Sequence, residues 1–134
     1  MPPLMQQLVR QLAEQQLAGT RVNVPGFIDQ LLELTAAVNE VRCTLVGRDG
    51  LRFEVPGQGP WEVPLDHAKA KLRSMCARVA VLCREGGQDV SLYGGTGVIE
   101  RSQAGCARRR PQRWTVRFRN TPSEQELTLT LCPE

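Results

Sequence analysis

The sequence predicts an α+β fold: a mainly antiparallel, curved sheet of about seven short strands packed by one central helix, with two N-terminal helices. Three observations predict it. Apolar residues repeat at helical spacing in three segments. Elsewhere they alternate with polar residues over runs of five or six, bounded by Gly, Pro, Asn and Asp. The alternating runs follow one another through short turns, as antiparallel meanders do.

Leu4, Leu8 and Leu12, with Met5, Val9 and Leu17, form an apolar stripe, and Gln6, Gln7, Arg10, Gln11 and Glu14 take the other side. This predicts an amphipathic helix of about four turns, stopped by Gly19. Thr20 to Pro25 reads as extended linker. A second helix is expected from Phe27 to Asn39, on the stripe Phe27, Leu31, Leu34 and Val38.

The period then becomes two. Val41, Cys43 and Leu45 alternate in a first strand, and Leu51, Phe53 and Val55 in a second, with Asp49-Gly50 in the connection. Pro56 to Pro60 forms a turn before a short strand through Trp61, Val63 and Leu65. A third helix is expected from Asp66, its N-cap, to Arg84, ended by Gly86-Gly87. Two short strands, Asp89 to Leu92 and Val98 to Arg101, flank the glycine-rich stretch. Trp114, Val116 and Phe118 mark the next strand, and Leu127, Leu129 and Leu131 the last.

The 134 residues suit one domain spanning 1–134, with 1–19 an amphipathic arm and 26–134 the globular body. Apolar content of 41% is too high for a disordered chain. No apolar run approaches the roughly 20 residues that cross a bilayer. The N-terminal stretch is broken by glutamines and lacks an early positive patch, so it is not a secretory signal. A cytoplasmic protein is expected. Five cysteines, an odd number without close pairing, suggest reduced thiols. No cofactor or metal is expected.

The stretch SLYGGTGVI, Ser91 to Ile99, raises the question of a phosphate loop. Such loops open a helix, and a Walker loop ends in Gly-Lys-Ser/Thr. Here Gly97 runs into Val98-Ile99, a strand sequence without lysine. A hairpin turn is the expected reading, with Tyr93, Gly94, Gly95, Thr96 and Gly97 the candidate lining of any small-molecule site.

His67, the only histidine, follows Asp66 at a helix start and has no second histidine to build a relay. An exposed first-turn residue is expected. Cys43, Cys76 and Cys83 fall on apolar faces and read as small core residues. Cys106 lies beside Arg108-Arg109-Arg110, where nearby cations lower a thiol's pKa.

From Leu65 to Arg119 there are 12 Lys or Arg against 4 Asp or Glu. Arg108, Arg109 and Arg110 share a loop, and Arg113, Arg117 and Arg119 one face of the next strand. Arginine forks suit phosphate oxygens, so a nucleic-acid groove is one reading. Against it, that polar face lacks aromatic residues on which bases stack, and Glu124 and Glu126 are placed to answer the arginines across the hairpin.

The leading expectation is a small intracellular, non-catalytic interaction domain. It would bind a protein partner, or itself as a homodimer, through Leu4, Leu8 and Leu12 or through a sheet face. Nucleic-acid binding through the arginines is the alternative. A small-molecule site or enzyme at the glycine stretch, with His67 and Cys106, is third.

Overall fold

The computed structural model describes residues 4–19, 22–101 and 111–133. The elements run α1 (Leu4–Gln16), α2 (Val24–Val38), β1 (Glu40–Leu45), β2 (Gly50–Val55), β3 (Gln58–Pro64), α3 (Ala68–Glu85), β4 (Gly94–Arg101), β5 (Gln112–Asn120) and β6 (Gln125–Leu131). The strands form one antiparallel sheet in the order β3-β2-β1-β6-β5-β4. The fold is α+β, but among the described residues the sheet has six strands rather than seven.

The strand expected at Asp89–Leu92 does not form. The alternation of Val90 and Leu92 suggested it, yet the backbone groups there bond to side chains instead. Arg84 Nε donates to the Val90 carbonyl at 2.8 Å, and Asn120 Nδ2 to the Leu92 carbonyl at 3.1 Å. Only the isolated bridge from Ser91 to Gly94 remains.

The glycine stretch is corrected in the same place. The chain turns at Leu92-Tyr93, and Gly94 to Gly97 are the first residues of β4, paired with Arg119, Phe118, Arg117 and Val116 of β5. At Gly97 a side chain has no room: a Cβ there would lie 2.7 Å from Cys83 Sγ and 3.0 Å from Gln88 Oε1.

All three helices lie on one face. The expected single central helix is α3, which crosses β4, β5 and β6 and reaches β1 and β2, but α2 covers β6 and β1 beside it and α1 reaches β3. Alternate strand residues point into this layer. Cys43 is flanked in the ladder by Phe53 and Leu127, and Phe53 stacks on Trp61 with ring centroids 6.3 Å apart. Phe27, Ile28, Leu31 and Leu32 of α2 and Leu72, Met75 and Val79 of α3 fill the space above them.

Two helix starts differ from expectation. α2 begins within the expected linker because Asn23 caps it, its side chain accepting from the Gly26 N–H at 3.0 Å, with Pro25 in the first turn. α3 is not capped by Asp66. His67 takes the cap position in left-handed backbone, φ 56°, and its side chain makes no capping bond. His67 is exposed, as expected of a first-turn residue.

Both sheet edges are blunted. β3 carries Pro60 and Pro64, which have no N–H to offer another strand. At β4 the Gln88 amide does the work of a neighbouring strand. Its Nε2 donates to the Val98 carbonyl at 2.7 Å, and its Oε1 accepts from the Val98 N–H at 2.8 Å.

Candidate interaction surfaces

Among the described residues, no helix covers the far face of the sheet. Its residues form cross-strand rows: Thr96, Arg117, Thr128, Arg42 and Glu54 in one, and Gly94, Arg119, Glu126, Thr44, Arg52 and Glu62 in the next. Arg113, Arg117 and Arg119 are all exposed on it, while Trp114, Val116 and Phe118 point into the core.

The charges on this face answer one another. Arg113 bonds Glu100 at 2.8 Å, Arg42 bonds Glu126 at 2.7 Å, and Arg52 lies 3.4 Å from Glu54. Arg119 pairs with Glu124, which holds its guanidinium above the usual range by hydrogen bond and charge. Exposed pairs of this kind add little stability, but they alter what the face presents. Among the described residues, Arg117 is the strand arginine without a carboxylate partner. Arg108, Arg109, Arg110 and Cys106 lie outside the described residues.

The opposite layer presents α1. Four residues of helix turn through 400°, so each step from Leu4 to Leu8 to Leu12 moves 40° around the axis, toward the stripe of Val9 and Ala13. Exposure falls in the same order: 69%, 37% and 7%. Leu12 therefore belongs to the core edge, Leu8 to the rim and Leu4 to the surface. Beside them runs a groove of about 240 Å³ between α1 and α2, lined by Leu8, Gln11, Leu12, Gln15, Gln30, Glu33 and Leu34. A leucine and glutamine lining with a single charge is what an amphipathic helix packs against.

A second groove, of about 540 Å³, separates α1 from the β3 edge and contains Arg10, Glu14, Asp49 and Glu62. A third, of about 360 Å³, runs between α3 and β4 and contains Arg78, Glu85, Gln88, Glu100 and Arg101. Arg101 there is held by Asp29 at 2.6 Å, and the buried Nε of Arg78 has no hydrogen-bond partner among the described residues.

The candidate small-molecule stretch is split. Tyr93 is 66% exposed at the turn, whereas Gly97 is buried against Cys83 and Gln88. The turn is pinned from beneath by Asn120. Its backbone N–H donates to the Tyr93 carbonyl at 2.8 Å, its side chain to the Leu92 carbonyl, and its Oδ1 accepts from Arg73 Nε at 2.9 Å. Sequence reasoning missed Asn120 and Gln88. Gln88 follows the Gly86-Gly87 helix stop and Asn120 the alternating strand Trp114 to Arg119, and nothing local marks the partner of either.

The thiols Cys43, Cys76 and Cys83 are buried and unpaired with one another. Burial raises all three, Cys76 to about 12, so none carries an appreciable thiolate fraction at neutral pH. Cys76 Sγ lies within 3.6 Å of the Glu126 carbonyl, a weak donor's place in the sheet rather than a nucleophile's. Among the described residues, no cluster of three His, Cys, Asp or Glu side chains is arranged to hold a metal ion. No described helix is long and apolar enough to cross a membrane.

Comparison with known proteins adds no kinship to this geometry: no family model matches the chain, and no curated protein matches it.

Proposed function

We propose that the chain is a non-catalytic interaction domain of the cytoplasm, and that it associates with another protein through the outward stripe of α1 and the groove α1 makes with α2. One observation carries this reading. Leu4 and Leu8 stand exposed in sequence along the stripe that leads into an apolar groove, at the i, i+4 spacing by which helices engage partners. The reduced, buried thiols support an intracellular setting.

The test is site-specific photo-crosslinking in living cells. A benzoylphenylalanine is placed at position 4 in one chain and at position 42, on the open sheet face, in another. Adducts to protein from position 4, lost on adding Leu8→Glu, support the reading. Adducts from position 42 alone transfer the function to the sheet.

Nucleic-acid binding is the second reading, favoured by Arg117 and opposed by the carboxylates that answer Arg113 and Arg119. It predicts salt-sensitive anisotropy changes with generic oligonucleotides, with a shallower salt slope for Arg117→Gln. Binding that ignores salt or Arg117 removes it.

A further inference from the structure

We infer that the groove between α3 and the outer edge of β4 receives an extended, acidic segment of a partner protein, which joins the sheet as a strand in place of the Gln88 amide. This surface is separate from the α1–α2 face, and the inference does not depend on the reading of that face.

The two sheet edges are closed by different means. Pro60 and Pro64 close β3 permanently, because proline has no N–H. β4 is closed by one side chain, which a rotamer change removes. Gln88 meets both backbone groups of Val98, at 2.7 and 2.8 Å, so those groups face away from β5. Along an antiparallel strand, residues bonded to the neighbour alternate with residues turned away from it, so the N–H and carbonyl of Glu100 face outward as well. Among the described residues they have no hydrogen-bond partner. An amide that donates and accepts at one residue copies one link of a β ladder. A peptide strand offers the same pair of bonds at Val98 and a second pair at Glu100.

The edge borders a groove, where the side chains of an added strand are read. It holds about 360 Å³ between the α3 stripe of Arg78, Leu82 and Glu85 and the strand residues Val98 to Arg101. Ile99 and Arg101 point to the helical side: Ile99 is buried, and Arg101 bonds Asp29 of α2. Residues opposite one another on neighbouring strands share a face, so the added residues opposite Ile99 and Arg101 enter the groove too.

Charge selects the partner. Glu100 is answered by Arg113, and Arg101 by Asp29. Arg78 has no carboxylate partner among the described residues, and its buried Nε has no hydrogen bond. A buried donor left unpaired is costly, and a carboxylate satisfies a guanidinium best. Glu85, the opposing charge, is exposed two helical turns away, about 10 Å along α3. The segment therefore carries an apolar residue against Ile99 and Leu82 and, two positions away, an acidic one at Arg78.

The test begins with random peptides about ten residues long, a strand's length, displayed on phage and selected on the purified full chain. Enriched sequences should place an acidic residue two positions from an apolar one. A fluorescein-labelled peptide of that consensus should bind Arg78→Gln about tenfold more weakly or worse, with an unchanged circular dichroism spectrum. It should bind Gln88→Ala severalfold more tightly, because no amide has to be displaced. Should that variant fail to fold, hydrogen exchange of the wild-type chain gives the answer. The peptide should slow exchange of the Glu100 N–H and leave the Ile99 N–H, already bonded to β5, unchanged.

No enrichment overturns the inference. So does a consensus without the acid, binding indifferent to Arg78→Gln, a folded Gln88→Ala that binds no more tightly, or a Glu100 N–H that exchanges as before. Peptides lost to Leu8→Glu rather than to Arg78→Gln occupy the α1–α2 groove, which upholds the reading of that face and overturns this inference. If position 4 yields no photo-crosslink while the acidic peptide binds as described, the α1 reading falls and this inference stands.

Discussion

The two sides of the sheet's central seam are held together by different means. Around α1, α2 and β1–β3, large apolar side chains do the holding: Leu17, Phe27, Ile28, Leu31, Leu32, Leu51 and Phe53 are all fully buried. Within that region, among the described residues, the hydrogen bonds between side chain and backbone are local: the Asn23 cap and the Thr35 hydroxyl on the Leu31 carbonyl. Around α3, β4 and β5, side-chain bonds to backbone and to other side chains tie one element to the next: Arg73 to Asn120, and Gln88 to both backbone groups of Val98. β4 explains the contrast. Three of its eight residues are glycine, so it has little apolar area to bury, and its position is fixed by directed bonds instead.

The contrast is broken most forcefully on the apolar side. Phe27→Ala empties a fully buried site and should cost about 3–5 kcal/mol, read as a shift of the urea midpoint. A loss below about 1 kcal/mol would mean that α2 is not a core element. Gln88→Ala should cost less, about 1–3 kcal/mol, because it leaves the Val98 N–H and carbonyl without their partner. Its distinctive sign is hydrogen exchange confined to β4 and a new tendency to self-associate through the uncovered edge. Uniform destabilisation without faster exchange at Val98 would show that the amide is incidental.

The smallest effect lies at the junction. His67 holds left-handed backbone, φ 56°, with no compensating bond, so His67→Gly should stabilise by roughly 1 kcal/mol. A thermal midpoint that falls on this change would mean the imidazole makes a contact that offsets its backbone.

The same contrast explains what the sequence disclosed. The apolar side is written in periodicity. Phe27, Leu31 and Leu34 announce α2, and Val41, Cys43, Leu51 and Phe53 announce a hairpin, since burial of one face imposes the spacing. The polar side is written in pairings between distant residues. Val90 and Leu92 alternate like a strand, but whether their carbonyls face a strand or Arg84 and Asn120 depends on where β5 ends. Gly94 to Gly97 look like a turn because glycine has no β preference; pairing with β5 and room for Gln88 override that. On α1, the helical repeat identified all three leucines, but only the position of α2 decides that Leu12 is covered and Leu4 is not. The strand arginines were legible as a face, and their pairing with Glu100 and Glu124 was partly foreseen from the hairpin.

The strand order has a consequence for synthesis. β1, β2 and β3 are consecutive neighbours, as are β4, β5 and β6, and the two groups meet only where β1 pairs with β6. On the ribosome the first group emerges complete while its counterpart is still being made. Until β6 arrives, β1 is an outer strand with Cys43 and Val41 on one side and unpaired backbone along its length. Neither prolines nor an amide guard it, because in the finished molecule it lies in the middle. The nascent chain thus passes through a stage whose exposed strand is the one the mature protein hides best. A chaperone that recognises unpaired strands would find its target there, and only before the last strand is translated.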